Sequence, residues 1–246
     1  MTPDPDVQRA YFEEAEVERF HWVTGAPGFA ETEDELLRPL ARGLEAPLLE
    51  IGCGEGNNLL RFAEVGARTG VDLFRKKLGF AARQQPAAGF AAADAARLPF
   101  ADAAFASVFI RDLLHHVADP RAVLREVARV LRPGGRFVLL EPNGRNPLIW
   151  LQTRVVPAEA GARDFDAERV AGFLSGLPFE ALRVEARQPL PLRRALLHYE
   201  KGIPALGRSR GGRALLAASE SALGLCLPRS RWTYVLITAR RAGSSP

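Results

Sequence analysis

Short apolar runs and longer segments of helical periodicity alternate along the middle of this 246-residue chain. The longer segments, Asn58–Val65, Arg75–Gln84 and Pro120–Leu131, carry apolar side chains three or four positions apart, which predicts amphipathic helices. The short runs predict buried strands at Pro47–Ile51, Arg68–Asp72, Gly89–Ala93, Ala104–Ile110 and Arg136–Glu141. This alternation predicts an α/β fold, with a mostly parallel sheet and helices on both faces.

The pattern is less regular on both sides of this middle part. It predicts N-terminal helices at Val7–Trp22 and Asp34–Gly43, a turn at Pro133–Gly135 and a later helix at Phe165–Leu174. The last two strands, Ala181–Arg187 and Arg231–Arg240, enclose an insertion at about 189–228, with helices near Leu192–Leu206 and Gly212–Leu225. We therefore expect a single domain with three parts, residues 1–45, 46–143 and 144–246.

A glycine-rich loop follows the first buried strand. Gly52, Gly54 and Gly56 lie at alternate positions, so the backbone can turn sharply and approach a ligand without obstruction by side chains. The loop leads into a helix N-terminus, which favours an anionic group such as a carboxylate. Asn57 stands where the dinucleotide fingerprint needs glycine, and no lysine follows as in the loops that bind nucleoside triphosphates. The loop therefore favours neither of those two ligands.

Two acidic residues follow the next two strands. Asp72 comes 20 residues after Gly52, at a strand end where a carboxylate can accept both hydroxyls of a ribose. Asp94 follows the third strand, where a carboxylate can accept from the exocyclic amine of adenine. Either acid alone is consistent with a solvated loop residue. Together with the glycine loop they indicate one adenosine bound across the carboxyl ends of the strands.

Five motifs, in this order, resemble the class I S-adenosylmethionine-dependent methyltransferases. They are Glu50–Gly56, Gly70–Asp72, Asp94–Phe100, Leu113–Pro120 and Val130–Arg136, and they lie within about residues 45–143. The resemblance implies a Rossmann-like seven-stranded sheet. The aromatic residues of the N-terminal part, among them Phe12 and Trp22, are consistent with lid helices over residues 1–45 or with simple packing, and the apolar pattern adds the helical insertion before the last strand. The resemblance also implies an enzyme that transfers a methyl group from S-adenosyl-L-methionine to a small molecule, such as a lipid or a natural product, by in-line displacement. The cofactor-binding half is then residues 46–143, and the acceptor-side half is residues 144–246. S-adenosyl-L-homocysteine is then the product.

The same resemblance assigns candidate cofactor-binding residues. The chain departs from the family at Ala106, where an aspartate often follows the phenylalanine, and that acid usually has a structural role. The matching positions are Glu50, Gly52, Cys53, Gly54 and Gly56 for the methionine part, Asp72 for the ribose, Leu73, Asp94 and Ala95 for the adenine, and Arg111, whose backbone would lie near the sulfonium.

Two histidines are the candidates for catalysis. His115 and His116 follow the fourth strand, at the mouth where acceptors bind, and imidazole titrates near neutrality. A general base is required only for an unactivated hydroxyl or a protonated amine, because a sulfonium methyl is already a strong electrophile. Base catalysis and simple packing under the following helix therefore both stay open. The four histidines and two cysteines have no spacing typical of a closed metal site, so we predict no metal.

The charge is distributed unevenly, which bears on the partners. The formal net charge is +4, but residues 1–50 carry −8 and residues 183–246 carry +9. The basic insertion, with Arg193, Arg194, Lys201, Arg208 and Arg210, is consistent with an anionic or amphipathic acceptor, with a peripheral membrane contact, or with a solvated cover of the sheet edge. The small net charge does not indicate nucleic acid, and the chain lacks the Asn/Asp-Pro-Pro-Tyr/Phe motif of enzymes that methylate amino groups of nucleic acids.

The cysteine content and the apolar segments indicate the compartment. Cys53 and Cys226 form no disulfide framework, and no apolar run is long enough to cross a membrane, so we expect a cytoplasmic protein. Other functions of the same fold stay open at this point. They are nucleic-acid or protein methylation, cofactor binding without catalysis, and another use of the same cofactor.

Overall fold

Seven strands form one sheet in the order β3-β2-β1-β4-β5-β7-β6 in the computed structural model, which describes residues 4–14, 16–200 and 202–243. Only β7 runs antiparallel to its neighbours, β5 and β6. This arrangement confirms the Rossmann-like, mostly parallel sheet. The strands are β1 Leu48–Ile51, β2 Arg68–Asp72, β3 Gly89–Ala92, β4 Phe105–Arg111, β5 Leu131–Pro142, β6 Phe179–Arg187 and β7 Tyr234–Arg241.

Helices cover both faces of the sheet. Ten α-helices lie in the described part of the chain, with short 3-10 turns between them at Ala63–Val65, Leu114–His116, Pro157–Asp164, Pro204–Arg208 and Arg229–Arg231. The α-helices are α1 Pro5–Phe12, α2 Val17–Gly25, α3 Phe29–Ala41, α4 Asn57–Arg61, α5 Arg75–Gln84, α6 Pro120–Val130, α7 Pro147–Val155, α8 Ala167–Leu174, α9 Leu192–Leu196 and α10 Arg210–Cys226.

The central strands separate two hydrophobic clusters, one on each face of the sheet. Val108 and Ile110 of β4 pack into the cluster that includes residues of α6 and α8, whereas Phe109 between them packs into the cluster with α3 and α4. Successive side chains of a strand point to opposite faces, so a strand buried on both sides is apolar at every position. This explains why the middle part of the chain shows apolar runs without alternation.

Several predicted bounds are wrong, such as the start of α3, which lies at Phe29 and not at Asp34. Three of the differences follow from a contact or a backbone geometry that the local pattern does not reveal. The N-terminal helix Val7–Trp22 is two helices, and the Glu16 amide at the break donates to the Glu55 carboxylate at 3.0 Å. The helix Leu192–Leu206 ends at Leu196, because the chain folds back and the Ile203 amide donates to the Leu196 carbonyl at 2.6 Å.

The third correction concerns the turn predicted at Pro133–Gly135, which lies inside β5. The pairing with β4 shifts there, from Phe105 opposite Leu131 to Ser107 opposite Arg136. Gly134 has a φ of +74°, and a Cβ on Gly135 would lie 2.7 Å from the Arg132 carbonyl. The two glycines therefore form a bulge in the strand, which uses the same backbone freedom as a turn.

The N-terminal helices α2 and α3 pack against the insertion helices α9 and α10, and we call residues 17–41 and 192–226 together the cap. The Trp22 indole donates to the Leu197 carbonyl at 2.8 Å and stacks on Phe29. Arg193 bonds both Glu35 and Glu220, at 2.6 and 2.8 Å. The acidic N-terminal segment and the basic insertion thus neutralise each other in part. Lys201, counted above in the basic insertion, lies outside the described residues.

Candidate active site

A cavity of about 260 Å³ opens at the carboxyl ends of β1, β2 and β4, beside the loop that follows β3. Parallel sheets bind ligands at this edge, where the strand order changes direction between β1 and β4. Most of the predicted cofactor residues lie in its wall. These are Gly52, Cys53, Gly54, Asp72, Leu73, Asp94, Ala95 and Arg111.

The glycine loop takes a conformation that other residues would strain. Gly52, Gly54 and Gly56 have φ values of +76°, +51° and +82°. A Cβ on Gly52 would lie 3.0 Å from a methyl group of Leu113, whereas a Cβ on Gly54 would meet no atom within 4 Å. The loop therefore presents bare backbone, with open space above Gly54, to whatever enters the cavity.

Asp72 ties the glycine loop to the end of β2. One carboxylate oxygen accepts the Gly54 amide at 2.8 Å, and the other accepts the Phe74 amide at 2.9 Å. Burial raises the pKa of this carboxyl despite these two bonds. Each oxygen keeps a second lone pair, so the carboxylate can still accept from a ligand.

Two of the predicted residues, Glu50 and Gly56, do not line the cavity. Glu50 is fully buried behind the loop and accepts the Asn58 side-chain amide at 2.6 Å, and burial raises its pKa to about 8. The Gly56 carbonyl accepts the Gln85 side chain at 2.8 Å, so a Cβ there would clash with that amide. Both residues shape the loop from behind.

The two histidines occupy different positions. His116 lines the cavity, with its ring edge-on to Phe12 at 4.9 Å between centroids. His115 is buried behind it, and its Nδ1 lies 2.7 Å from the Glu141 carboxylate. The other oxygen of Glu141 accepts the Leu113 and Leu114 amides, both at 2.8 Å. One carboxylate at the end of β5 therefore fixes the whole turn that carries both histidines.

The charges around the two rings drive their pKa values apart. Burial alone would lower the pKa of His115, but the Glu141 and Glu159 carboxylates outweigh it and raise the pKa to about 10. Burial and the charge on His115 lower the pKa of His116 to about 3. The ring that faces the cavity is thus a neutral imidazole at pH 7.

Glu159 lies behind the cavity wall, beside the two histidines, and the sequence did not predict it there. It belongs to the 3-10 turn Pro157–Asp164, in an irregular segment without periodicity, and its carboxylate lies 3.4 Å from His115 Nε2. His115, His116 and Glu159 each offer one donor atom, and these three atoms lie within 4.8 Å of one another. No local pattern in the sequence could have placed Glu159 beside the histidines.

A buried ion network forms the cavity wall next to the cap. Arg111 donates to Glu33 at 2.6 Å, to Asn58 at 3.2 Å and to the Tyr234 hydroxyl at 3.2 Å. Burial would raise the pKa of Glu33, but Arg111 and Arg194 lower it to about 2. Arg194 of α9 lines the cavity and also bonds the Tyr234 hydroxyl. The side chain of Arg111 therefore has an anchoring role in addition to the backbone position predicted for it.

Residues of the N-terminal helices complete the cavity. Gln8, Phe12, Arg19 and Val23 line it. The Gln8 side-chain amide donates to the Ala158 carbonyl at 2.7 Å, which joins α1 to the segment that carries Glu159.

Among the described residues, no helix combines the length and the apolar character that a bilayer span requires.

Comparisons with known proteins agree with this geometry. A sequence profile described as a methyltransferase domain matches residues 49–139. The chain is 37% identical, over 131 residues, to 27-O-demethylrifamycin SV methyltransferase of Amycolatopsis mediterranei, covering 50% of this chain and 44% of that one. It is 29% identical, over 207 residues, to the methyltransferase GfsG of Streptomyces halstedii, covering 78% and 73%.

A solved structure supports the same fold. Phosphoethanolamine N-methyltransferase 2 of Haemonchus contortus, in complex with S-adenosyl-L-methionine, has a TM-score of 0.69 at 18% identity over 96% of this chain and 60% of that one. The chain spans about half the length of the first curated relatives that it matches. The profile at residues 49–139, the ordered motifs and the sheet order agree: this part of the chain resembles the methyltransferase domain of the class I S-adenosylmethionine-dependent methyltransferases.

Proposed function

We propose that this protein binds S-adenosyl-L-methionine in the cavity and transfers its methyl group to a small-molecule acceptor. The observation that carries the proposal is that the glycine loop, Asp72 and His116 open onto one cavity of about 260 Å³. The named activity of the rifamycin relative, methylation of a natural product, supports an acceptor of this class.

The residues present fit this cofactor. The open space above Gly54 leaves room for the methionine part next to bare backbone amides, and the spare lone pairs of Asp72 suit the two ribose hydroxyls. Leu73 is 61% exposed and Asp94 is also exposed, so an apolar surface and an acceptor are available to an adenine at the cavity edge. When bound, the cofactor supplies an electrophilic methyl group on a sulfonium.

The task of this chain is then to hold the acceptor in line with that methyl group. Correct positioning of two reactants contributes ~7–11 kcal/mol towards lowering a barrier of this kind. We assign contact with the acceptor to His116, because it is the histidine in the cavity wall, and a positioning role to His115, which Glu141 holds behind it. Phe12 and Gln8 cover this side of the cavity and exclude water from it.

The segments outside residues 49–139 define the acceptor. Arg19 of α2 and Arg194 of α9 line the cavity beside the cofactor residues, so an acceptor that carries an anionic group suits it. We favour a free small molecule over a membrane-bound or nucleic-acid acceptor, because α1 covers the cavity and Arg193 and Arg213 of the insertion are engaged in ion pairs with acids. We place the activity in the cytoplasm, where cysteines such as Cys53 and Cys226 stay as free thiols.

Calorimetry with S-adenosyl-L-homocysteine tests the cofactor part. We expect one site per chain, and we expect Asp72→Asn to weaken binding at least tenfold, which corresponds to ~1.4 kcal/mol. Glu64→Gln, a change to an exposed acid away from the cavity, is the matched control and should bind as the unaltered protein does. If the unaltered protein binds no S-adenosyl-L-homocysteine, the proposal is wrong.

A metabolite extract incubated with the protein and the methyl donor tests the transfer. A product heavier by one methylene, about 14 Da, identifies the acceptor by mass spectrometry. A protein that binds the cofactor but yields no such product from small-molecule, RNA or protein fractions would instead be a non-catalytic binding protein of this fold.

A further inference from the structure

Two buried imidazole nitrogens beside the cavity have no hydrogen-bond partner in the described part of the chain. They are His115 Nε2 and His116 Nδ1. The side chain of His115 is only 1% exposed, so bulk solvent does not reach its nitrogen. A buried polar atom without a partner costs ~1–3 kcal/mol, and such an atom in a native fold calls for an explanation.

A carboxylate faces the same point. Glu159 Oε2 lies 3.4 Å from His115 Nε2, and the donor atoms of the three side chains lie within 4.8 Å of one another. The Glu159 side chain is 21% exposed, so it has freedom to move closer to the histidines. The three donor atoms therefore converge on one place at the edge of the cavity.

The opposite side of the His115 ring is held in the way that metal-binding histidines are held. His115 Nδ1 bonds the Glu141 carboxylate at 2.7 Å, and that carboxylate also accepts two backbone amides. The His116 ring is held by its edge-on contact with Phe12. In metal sites a carboxylate or a carbonyl on the second ring nitrogen fixes the ring and directs the free nitrogen to the ion.

We propose that His115 Nε2, His116 Nδ1 and the Glu159 carboxylate bind a divalent transition-metal ion. The ion replaces the proton that His115 Nε2 carries at pH 7, and this proton is released to the solvent. Two imidazoles and one carboxylate suit zinc, iron, cobalt or manganese, whereas magnesium and calcium prefer sites built from oxygen alone. Metal–ligand distances of ~2.0–2.2 Å require the donors that lie farthest apart to approach each other when the ion binds.

The position of the ion gives it a role in acceptor binding, and this step rests on the proposed function. Of the three proposed ligands only His116 lines the cavity, so the ion lies at the edge of the cavity, beside the His116 ring. The ligand class that fits is an acceptor with a hydroxyl or enol oxygen, because a divalent ion binds that oxygen and lowers its pKa. Metal binding itself does not depend on methyl transfer.

Titration of the untagged, chelator-treated protein with Co²⁺, followed by visible absorption, tests the site. We expect one equivalent of Co²⁺ to bind with the absorption of a site of low coordination number, and one equivalent of Zn²⁺ to displace it. Glu159→Gln and His116→Asn should each weaken Co²⁺ binding at least tenfold. Glu168→Gln, at an exposed position of α8, is the control and should not change it.

Calorimetry with S-adenosyl-L-homocysteine on the same variants separates the two proposals. Glu159→Gln should bind this ligand within about twofold of the unaltered protein, which also shows that the variant is folded. Absence of Co²⁺ binding, or binding that is equally strong in Glu159→Gln and His116→Asn, overturns the metal site, whatever the result for S-adenosyl-L-homocysteine.

Discussion

Replacement of Glu33 by glutamine tests the buried ion pair that connects the N-terminal segment to the sheet. Glu33 lies in α3 and Arg111 ends β4, and their side chains are 2% and 5% exposed with 2.6 Å between Oε2 and Nη1. Burial would raise the pKa of the carboxyl, but Arg111 and Arg194 outweigh it and lower the pKa from 4.5 to about 2. The folded state therefore favours the charged form of Glu33.

The size of the effect follows from these two pKa values. Because the pKa is lower in the folded chain, the stabilisation is present above pH 4.5 and is lost as the pH falls towards 2. Each pH unit between the two values corresponds to ~1.4 kcal/mol, so the contribution is about 3 kcal/mol at pH 7 and about 2 kcal/mol at pH 3.5. Removal of one partner from a buried pair costs ~3–5 kcal/mol in other proteins, in agreement with this value.

Urea unfolding of Glu33→Gln, measured at both pH values, checks the reasoning. We expect the free energy of unfolding to fall by about 3 kcal/mol at pH 7 and by about 2 kcal/mol at pH 3.5. The control is Glu185→Gln, which removes an exposed pair with Arg187 and should change stability by less than ~1 kcal/mol. A loss below ~1 kcal/mol at pH 7, or an equal loss at both pH values, would refute the assignment of the charged network.

Three further predictions concern the glycine loop and the cysteines. Glu50→Gln should raise the free energy of unfolding in urea by on the order of 2 kcal/mol or more at pH 8. The reason is that burial raises the pKa of Glu50, so ionisation of this carboxyl destabilises the folded state as the pH rises from 4.5 to about 8. An unchanged free energy of unfolding would contradict the burial of Glu50 as a protonated acid. Gly52→Ala should weaken S-adenosyl-L-homocysteine binding at least tenfold in calorimetry, through its φ of +76° and the contact with Leu113, whereas Gly211→Ala should leave it unchanged. A disulfide reagent should modify the exposed Cys226 rapidly and the buried Cys53 only when the protein unfolds. Rapid modification of both thiols in the folded protein would contradict the burial of Cys53.

The regular half of the chain could be predicted almost to the residue, because local signals and burial agree there. The bounds predicted for β2 and α5 are those observed, and the other strands of this half differ by one or two residues, apart from the start of β5. The glycine loop and Asp72 could also be placed, since the motif spacing puts them at one edge of the sheet.

The cap and the acceptor side could not be predicted in the same way, because distant contacts determine them. The break before α2 depends on Glu55, and the partners Glu33 and Arg111 are 78 positions apart. Glu159 meets the histidines only through the irregular segment after α7. The predicted contact of Glu50 with the cofactor rested on the motif alone, and the motif does not distinguish a residue in the wall from one behind it.

The contacts inside the cap also determine when the chain can complete its fold. Trp22 and its partner Leu197 are 175 positions apart, and Arg193 and Glu35 are 158 positions apart. Contacts of such separation form slowly, because the long loop must close before any of them is gained. During synthesis Trp22 and Phe29 therefore lack their contacts with the insertion until Leu197 has left the ribosome. The N-terminal helices thus expose apolar side chains during most of the synthesis of the chain, which makes them sensitive to aggregation.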